Sequence, residues 1–151
     1  APNFAWWEAF PTVLWRIGGR YALFAGLAFL LFYVWKRSAW SSHKIQPRFP
    51  GKNDLRREVF YSSLTILIFA AVVTVVMFHP QVRAWTQLMD LPNQRGWLYY
   101  FLIFPVLLFL HDAYFYWAHR LMHLPWLYKR VHRVHHQSTN PSPWAAYSFH
   151  P

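Results

Sequence analysis

The sequence predicts an all-α, polytopic membrane protein with about three membrane-crossing helices, and three observations carry that reading. Hydrophobic residues make up 56% of the 151 residues and aromatic residues 22%, against 13% charged, a balance that suits a bilayer better than water. Three runs are apolar enough, alone or with their flanks, to cross a hydrocarbon core of about 30 Å. Ten Trp and nine Tyr supply rings that straddle membrane interfaces. Lipid offers no partner to backbone N–H and C=O groups, so the spans must be helical. The length suits one domain.

The first run covers residues 19–35, GRYALFAGLAFLLFYVW. The second covers 59–78, VFYSSLTILIFAAVVTVVMF, with no charged residue, and spans unaided. The third covers 97–110, WLYYFLIFPVLLFL, and continues through HDAYFYWA; Pro105 inside it predicts a kink. Residues 1–96 are read as an N-terminal transmembrane hairpin region and 97–151 as the start of a histidine-rich domain.

Charge orients the spans. Lys36, Arg37, Lys44, Arg48, Lys52, Arg56 and Arg57 lie between the first two runs, whereas Arg83 and Arg95, with Asp90, lie between the second and third. The positive-inside rule puts 36–58 in the cytoplasm and 80–96 outside. The third helix then returns inward, so the helices bearing the histidines face the cytoplasm; Arg120, Lys129, Arg130 and Arg133 agree, while Arg16 and Arg20 oppose the matching external N-terminus. The net charge of +10 follows from these topology signals and from anionic headgroups rather than from a nucleic-acid partner. Without cysteine, disulfides, thiolate metal sites and iron–sulfur ligation are excluded. The chain opens Ala-Pro and closes Ser-Phe-His-Pro; its first residues do not read as a cleavable signal peptide, and its abrupt ends read as those of a fragment.

Residues 111–136, HDAYFYWAHRLMHLPWLYKRVHRVHH, hold six histidines in an apolar setting. On a helix, His119 and His123 are one turn apart on one face and can reach one ion or neighbouring ions. Leu124-Pro125 ends that helix, and WLYKRVHRVHH begins another, on which His132 and His136 share a stripe while His135 diverges from His136 by about 100°. His135 and His136 therefore favour different metals, or opposite sides of a pair. His111 is about 12 Å along the helix from His119 and is read as structural. Asp112, seven residues before His119, is a candidate to orient the ligands by hydrogen bonding. His43 and His79 flank apolar runs and read as polar anchors. The stripe Tyr114, Phe115, Tyr116 and Trp117 reads as packing, and TNPSPW as a turn.

Five imidazoles in the patterns HxxxH and HxxHH would be costly beside a bilayer unless they were used. Imidazole ligation without thiolate suits iron, zinc, copper or nickel. A zinc protease of the HExxH type is excluded, because the glutamate is missing.

HDAYFYWAHRLMH, VHRVHH and the trailing FHP resemble the opening of the fatty acid hydroxylase/sterol desaturase superfamily, the membrane histidine-box enzymes, over roughly residues 111–151. The resemblance implies a cytoplasm-facing di-iron centre held by His119, His123, His132, His135 and His136, with zinc as a possible occupant of a purified sample. It also implies an O₂-dependent hydroxylation or desaturation of a lipid, whether sterol, fatty acyl chain or carotenoid, with electrons from a redox protein. The family carries a further HxxHH-type box downstream. The sequence to Pro151 does not contain it, and His150 is only a weak sixth candidate, so the chain by itself is expected to be catalytically incompetent. The rival reading is a non-catalytic membrane subunit derived from the family and packed among other subunits. A transporter with histidine relays would instead line a through-pore.

Overall fold

The computed structural model describes residues 5–46, 48–86 and 96–149. Among them every regular element is helical. A 3-10 turn at Trp6–Ala9 leads into α1 (Phe10–Phe29), whose last turns, Leu30–Trp35, widen to π geometry. The short α2 (Arg37–Ser41) precedes α3 (Lys52–Phe78), which α4 (Pro80–Trp85) follows. Then come α5 (Gly96–Met122), α6 (Pro125–Leu127), a π-wound segment Tyr128–His132, α7 (Arg133–Gln137) and a 3-10 turn at Pro143–Tyr147.

Three helices are long and apolar enough to cross a membrane: Trp6–Trp35, Lys52–Phe78 and Gly96–Met122. The first begins 13 residues upstream of the expected run. Pro11 stands in the first turn of α1, where its missing N–H costs nothing. Gly18, inside the helix, faces α3, with Ile66 Cγ2 3.7 Å from where a Cβ would stand. α3 starts at Lys52, with the Asp54 carboxylate reaching back to accept the Gly51 N–H at 3.1 Å, one half of a capping box. α5 runs unbroken through Pro105 and ends at Met122, just before Pro125 opens α6.

α1 and α3 form an antiparallel pair, with the Trp6 ring of the first meeting His79 at the far end of the second, 5.0 Å between centroids. Val13, Ala25, Ile66 and Ala70 are buried. So are Glu58, Ser62 and Thr65, a polar stripe at i, i+4 and i+7 on a helix that is otherwise apolar. The stripe exists because residues 142–149 lie along this pair as a strap. Tyr21 and Ser62 both donate to the Trp144 carbonyl, each at 2.8 Å, and Thr65 donates to the Phe149 carbonyl at 3.4 Å. Ser142 gives its N–H and its hydroxyl to Glu58 Oε2. Irregular backbone against membrane helices is tolerated only where protein satisfies it, and here α1 and α3 supply the partners. The strap's Trp144 and Tyr147 rings pack edge-on against Tyr21.

α5 behaves differently. None of its described residues is buried, and Phe101 and Phe109 are 79% and 74% exposed; lipid is the natural cover for such a surface. Its contacts with the rest concentrate at its histidine-bearing end, against Tyr128–His132.

The connection before α3 and the segment after the histidines share one end of the α1–α3 pair. Arg57 donates to the Gln137 carbonyl at the C-terminus of α7, Lys44 donates to Asn140 at 2.8 Å, and Asn140 donates to the Arg48 carbonyl at 2.8 Å. In a chain that lacks cysteine, Lys44→Cys and Arg130→Cys are single labelling sites. Both are expected to react with an impermeant thiol reagent from one common side of sealed vesicles; reaction from opposite sides would contradict the shared end.

Candidate metal centre

His119 and His123 reach the site from the last turns of α5, where the i, i+4 spacing stacks them with Nε2 atoms 3.1 Å apart. Two nitrogens sharing a tetrahedral ion at about 2.1 Å would be about 3.4 Å apart. His132 ends the π-wound segment and His136 lies in α7. One nitrogen from each of His119, His123, His132 and His136 lies within 4.8 Å of the others. Ring centroids of His132 stand 4.6 Å from His119, 4.8 Å from His123 and 4.7 Å from His136.

His132 is the centre of the group. It is 1% exposed, and neither Nδ1 nor Nε2 has a hydrogen-bond partner. An orphaned buried polar atom costs on the order of 1–3 kcal/mol, so these two nitrogens fit an ion that would take one of them as ligand. Burial first, and then the neighbouring imidazoles His119, His136, His123 and His135, push its pKa down to about 4. His136 is shifted down for the same two kinds of reason. Both rings are thus held in the neutral form that binds metal.

His135 stands outside the four. Its ring stacks on Phe149, 4.7 Å between centroids and 17° between planes. Burial lowers its pKa and the Ser148 backbone partly restores it.

Asp112 does not touch the imidazoles of the cluster. Its carboxylate is exposed and pairs with His111 Nδ1 at 3.2 Å. It does line, with Phe115, Tyr116, His119, Arg120 and His123, a largely apolar cavity of about 460 Å³ on the α5 side of the centre. A second, more polar cavity of about 670 Å³ opens on the other side, bounded by His135, His136 and hydroxyls of 138–148. His43 bonds Ser42 and leans on Trp40, and His79 packs on Trp6; neither belongs to the cluster. His150 lies outside the described residues.

Sequence reasoning missed two sets of neighbours. Tyr128 stacks on His123 at 5.8 Å and 26° and stands 5.6 Å from His136; its spacing of four and eight residues from His132 and His136 marked it as part of their stripe. The polar stripe of α3 was equally visible as Glu58, Ser62 and Thr65 at helical spacing.

Comparisons with known proteins show the family. The fatty acid hydroxylase family model matches residues 104–151. The Delta(7)-sterol 5(6)-desaturase of Leptosphaeria maculans is 34% identical over 132 residues, 87% of this chain and 35% of that protein. The chain belongs to the fatty acid hydroxylase/sterol desaturase superfamily. Another member of the superfamily, the lathosterol oxidase of Homo sapiens, is 32% identical over 135 residues, 88% of this chain and 44% of that protein. The chain thus spans less than half the length of these relatives. No solved structure matches it significantly.

The burial of His132 ranks the histidines. His132→Ala should weaken divalent metal binding by at least about tenfold, the lower end of what loss of a mere supporting group costs a metal site. His43→Ala and His79→Ala should leave binding unchanged. Metal titration of the purified variants checks this, and equal losses from all three would contradict the assignment.

Proposed function

We propose that this chain carries the metal-binding part of an O₂-dependent lipid hydroxylase or desaturase with a di-iron centre, and that a sterol is its substrate. The observation that carries the reading is the four-imidazole cluster around a buried His132 without hydrogen-bond partners. His119, His123, His132 and His136 would hold one ion. His135, turned away from them, would serve the second.

Iron bound there supplies O₂ activation and abstraction of hydrogen from an unactivated C–H bond, with electrons from a redox protein. The chain's own residues do the rest. Neutral imidazoles bind either oxidation state without adding charge to a site near lipid. Phe115 and Tyr116 wall the apolar cavity beside His119 and His123, so that a lipid can enter sideways from the bilayer along the exposed face of α5. Asp112 stands at the rim of that cavity. The seven basic residues of 36–58, joined to the 137–140 segment by Lys44, Asn140 and Arg57, support a cytoplasmic location for the centre. The printed names of the relatives, a Delta(7)-sterol 5(6)-desaturase and a lathosterol oxidase, favour a sterol over a fatty acyl chain or carotenoid.

The natural protein bearing this sequence, loaded with iron and given reductant and O₂, should oxidise a Δ7-sterol in preference to fatty acyl or carotenoid lipids. His132→Ala should abolish the product seen by mass spectrometry. Undiminished product from that variant, or none from any lipid with the unaltered protein, would overturn the reading.

A further inference from the structure

Glu58 is the largest acid in the interior that the ligand set does not use. It is fully buried on α3, outside both histidine motifs. Its Oε2 accepts the N–H and the hydroxyl of Ser142, while its Oε1 has no partner. Because the Ser142 hydroxyl proton is committed to the carboxyl, its oxygen is free to accept the Trp144 N–H at 3.2 Å. That contact caps the 3-10 turn Pro143–Tyr147. The turn leads directly to Phe149, whose ring stacks on His135. A continuous run of contacts therefore leads from α3 to one imidazole.

We propose that Glu58 is a positioning residue that fixes the His135 imidazole by anchoring the strap of residues 142–149. The role rests on the di-metal reading above, since it explains why His135 stays out of the four-imidazole set: the strap holds its ring toward Phe149 and leaves its other nitrogen for a separate ion. Ser62, Tyr21 and Thr65 secure the same strap further along, but Glu58 alone holds its first residue by both backbone and side chain. Ser142 needs a single acceptor oxygen, which glutamine also offers and leucine does not.

Two readouts on purified protein in nanodiscs test this. The first uses metal-free protein and diethyl pyrocarbonate, an electrophile that acylates accessible imidazole, with peptide mass spectrometry following each histidine. Glu58→Leu should raise the modification rate of His135 about tenfold, the scale set by losing a hydrogen bond to a carboxyl group. The exposed His43 should react at its original rate, and Glu58→Gln should behave as the unaltered protein. Thr74→Val, which removes a buried hydroxyl of α3 bonded only within its own helix, should also leave His135 protected. The second readout is the visible spectrum and stoichiometry of bound cobalt(II): Glu58→Leu should lose the cobalt that depends on His135 and keep the cobalt held by the four imidazoles. An unchanged His135 rate in Glu58→Leu, or equal acceleration in Thr74→Val, overturns the proposal. If the unaltered protein binds no cobalt, the metal reading fails, and the anchoring of His135 is still decided by the first readout.

Discussion

Backbone that leaves a helix beside a bilayer must have its polar groups satisfied by protein, and the strap of residues 142–149 places that demand on the α1–α3 pair. The response is written into α3 as Glu58, Ser62 and Thr65 and into α1 as Tyr21. Removing the Glu58 carboxyl leaves the buried donors of Ser142 unmatched, a costlier change than never having had the pair. The strap in turn holds Phe149 against His135. Thus the hydrogen bonds that make an irregular segment tolerable also set the position of a candidate ligand.

The candidate metal centre is assembled from two bodies of chain that otherwise share little surface. α5 contributes His119 and His123 at its end and buries none of its described residues. The segment Tyr128–His132 and α7 contribute His132 and His136. Four imidazoles this close repel one another when protonated, and burial already disfavours the charged form at His132. The buried His132, whose ring nitrogens have no hydrogen-bond partner, fits an electrophile seated among the four. An ion would therefore join α5 to the rest of the chain as well as perform chemistry.

Much of this was legible in the sequence. The three spans follow from apolar run length, and the pairing of His119 with His123 and of His132 with His136 follows from helical spacing. The divergence of His135 from His136 also follows, although the π turn at Tyr128–His132 was not foreseen. α1 starts upstream of the expected run because Arg16, Gly18, Gly19 and Arg20 interrupt the apolar pattern without breaking the helix, and a first-turn proline is tolerated. The role of Glu58 was hidden because its partner is 84 residues away, and a run chosen for the absence of charge begins just after it. Asp112 shows the converse: sequence spacing put it on the face of His119, but side-chain geometry pairs it with His111.

The central claim is that His119, His123, His132 and His136 bind one ion together. X-ray absorption at the iron edge of the iron-loaded protein tests it most directly, because rigid imidazole rings leave an outer-shell signature that water and carboxylate do not. The account predicts a nitrogen-rich first shell with multiple imidazoles per iron, and a loss of imidazole scattering in His132→Ala. A first shell of oxygen with at most one imidazole, unaltered by that substitution, would contradict it.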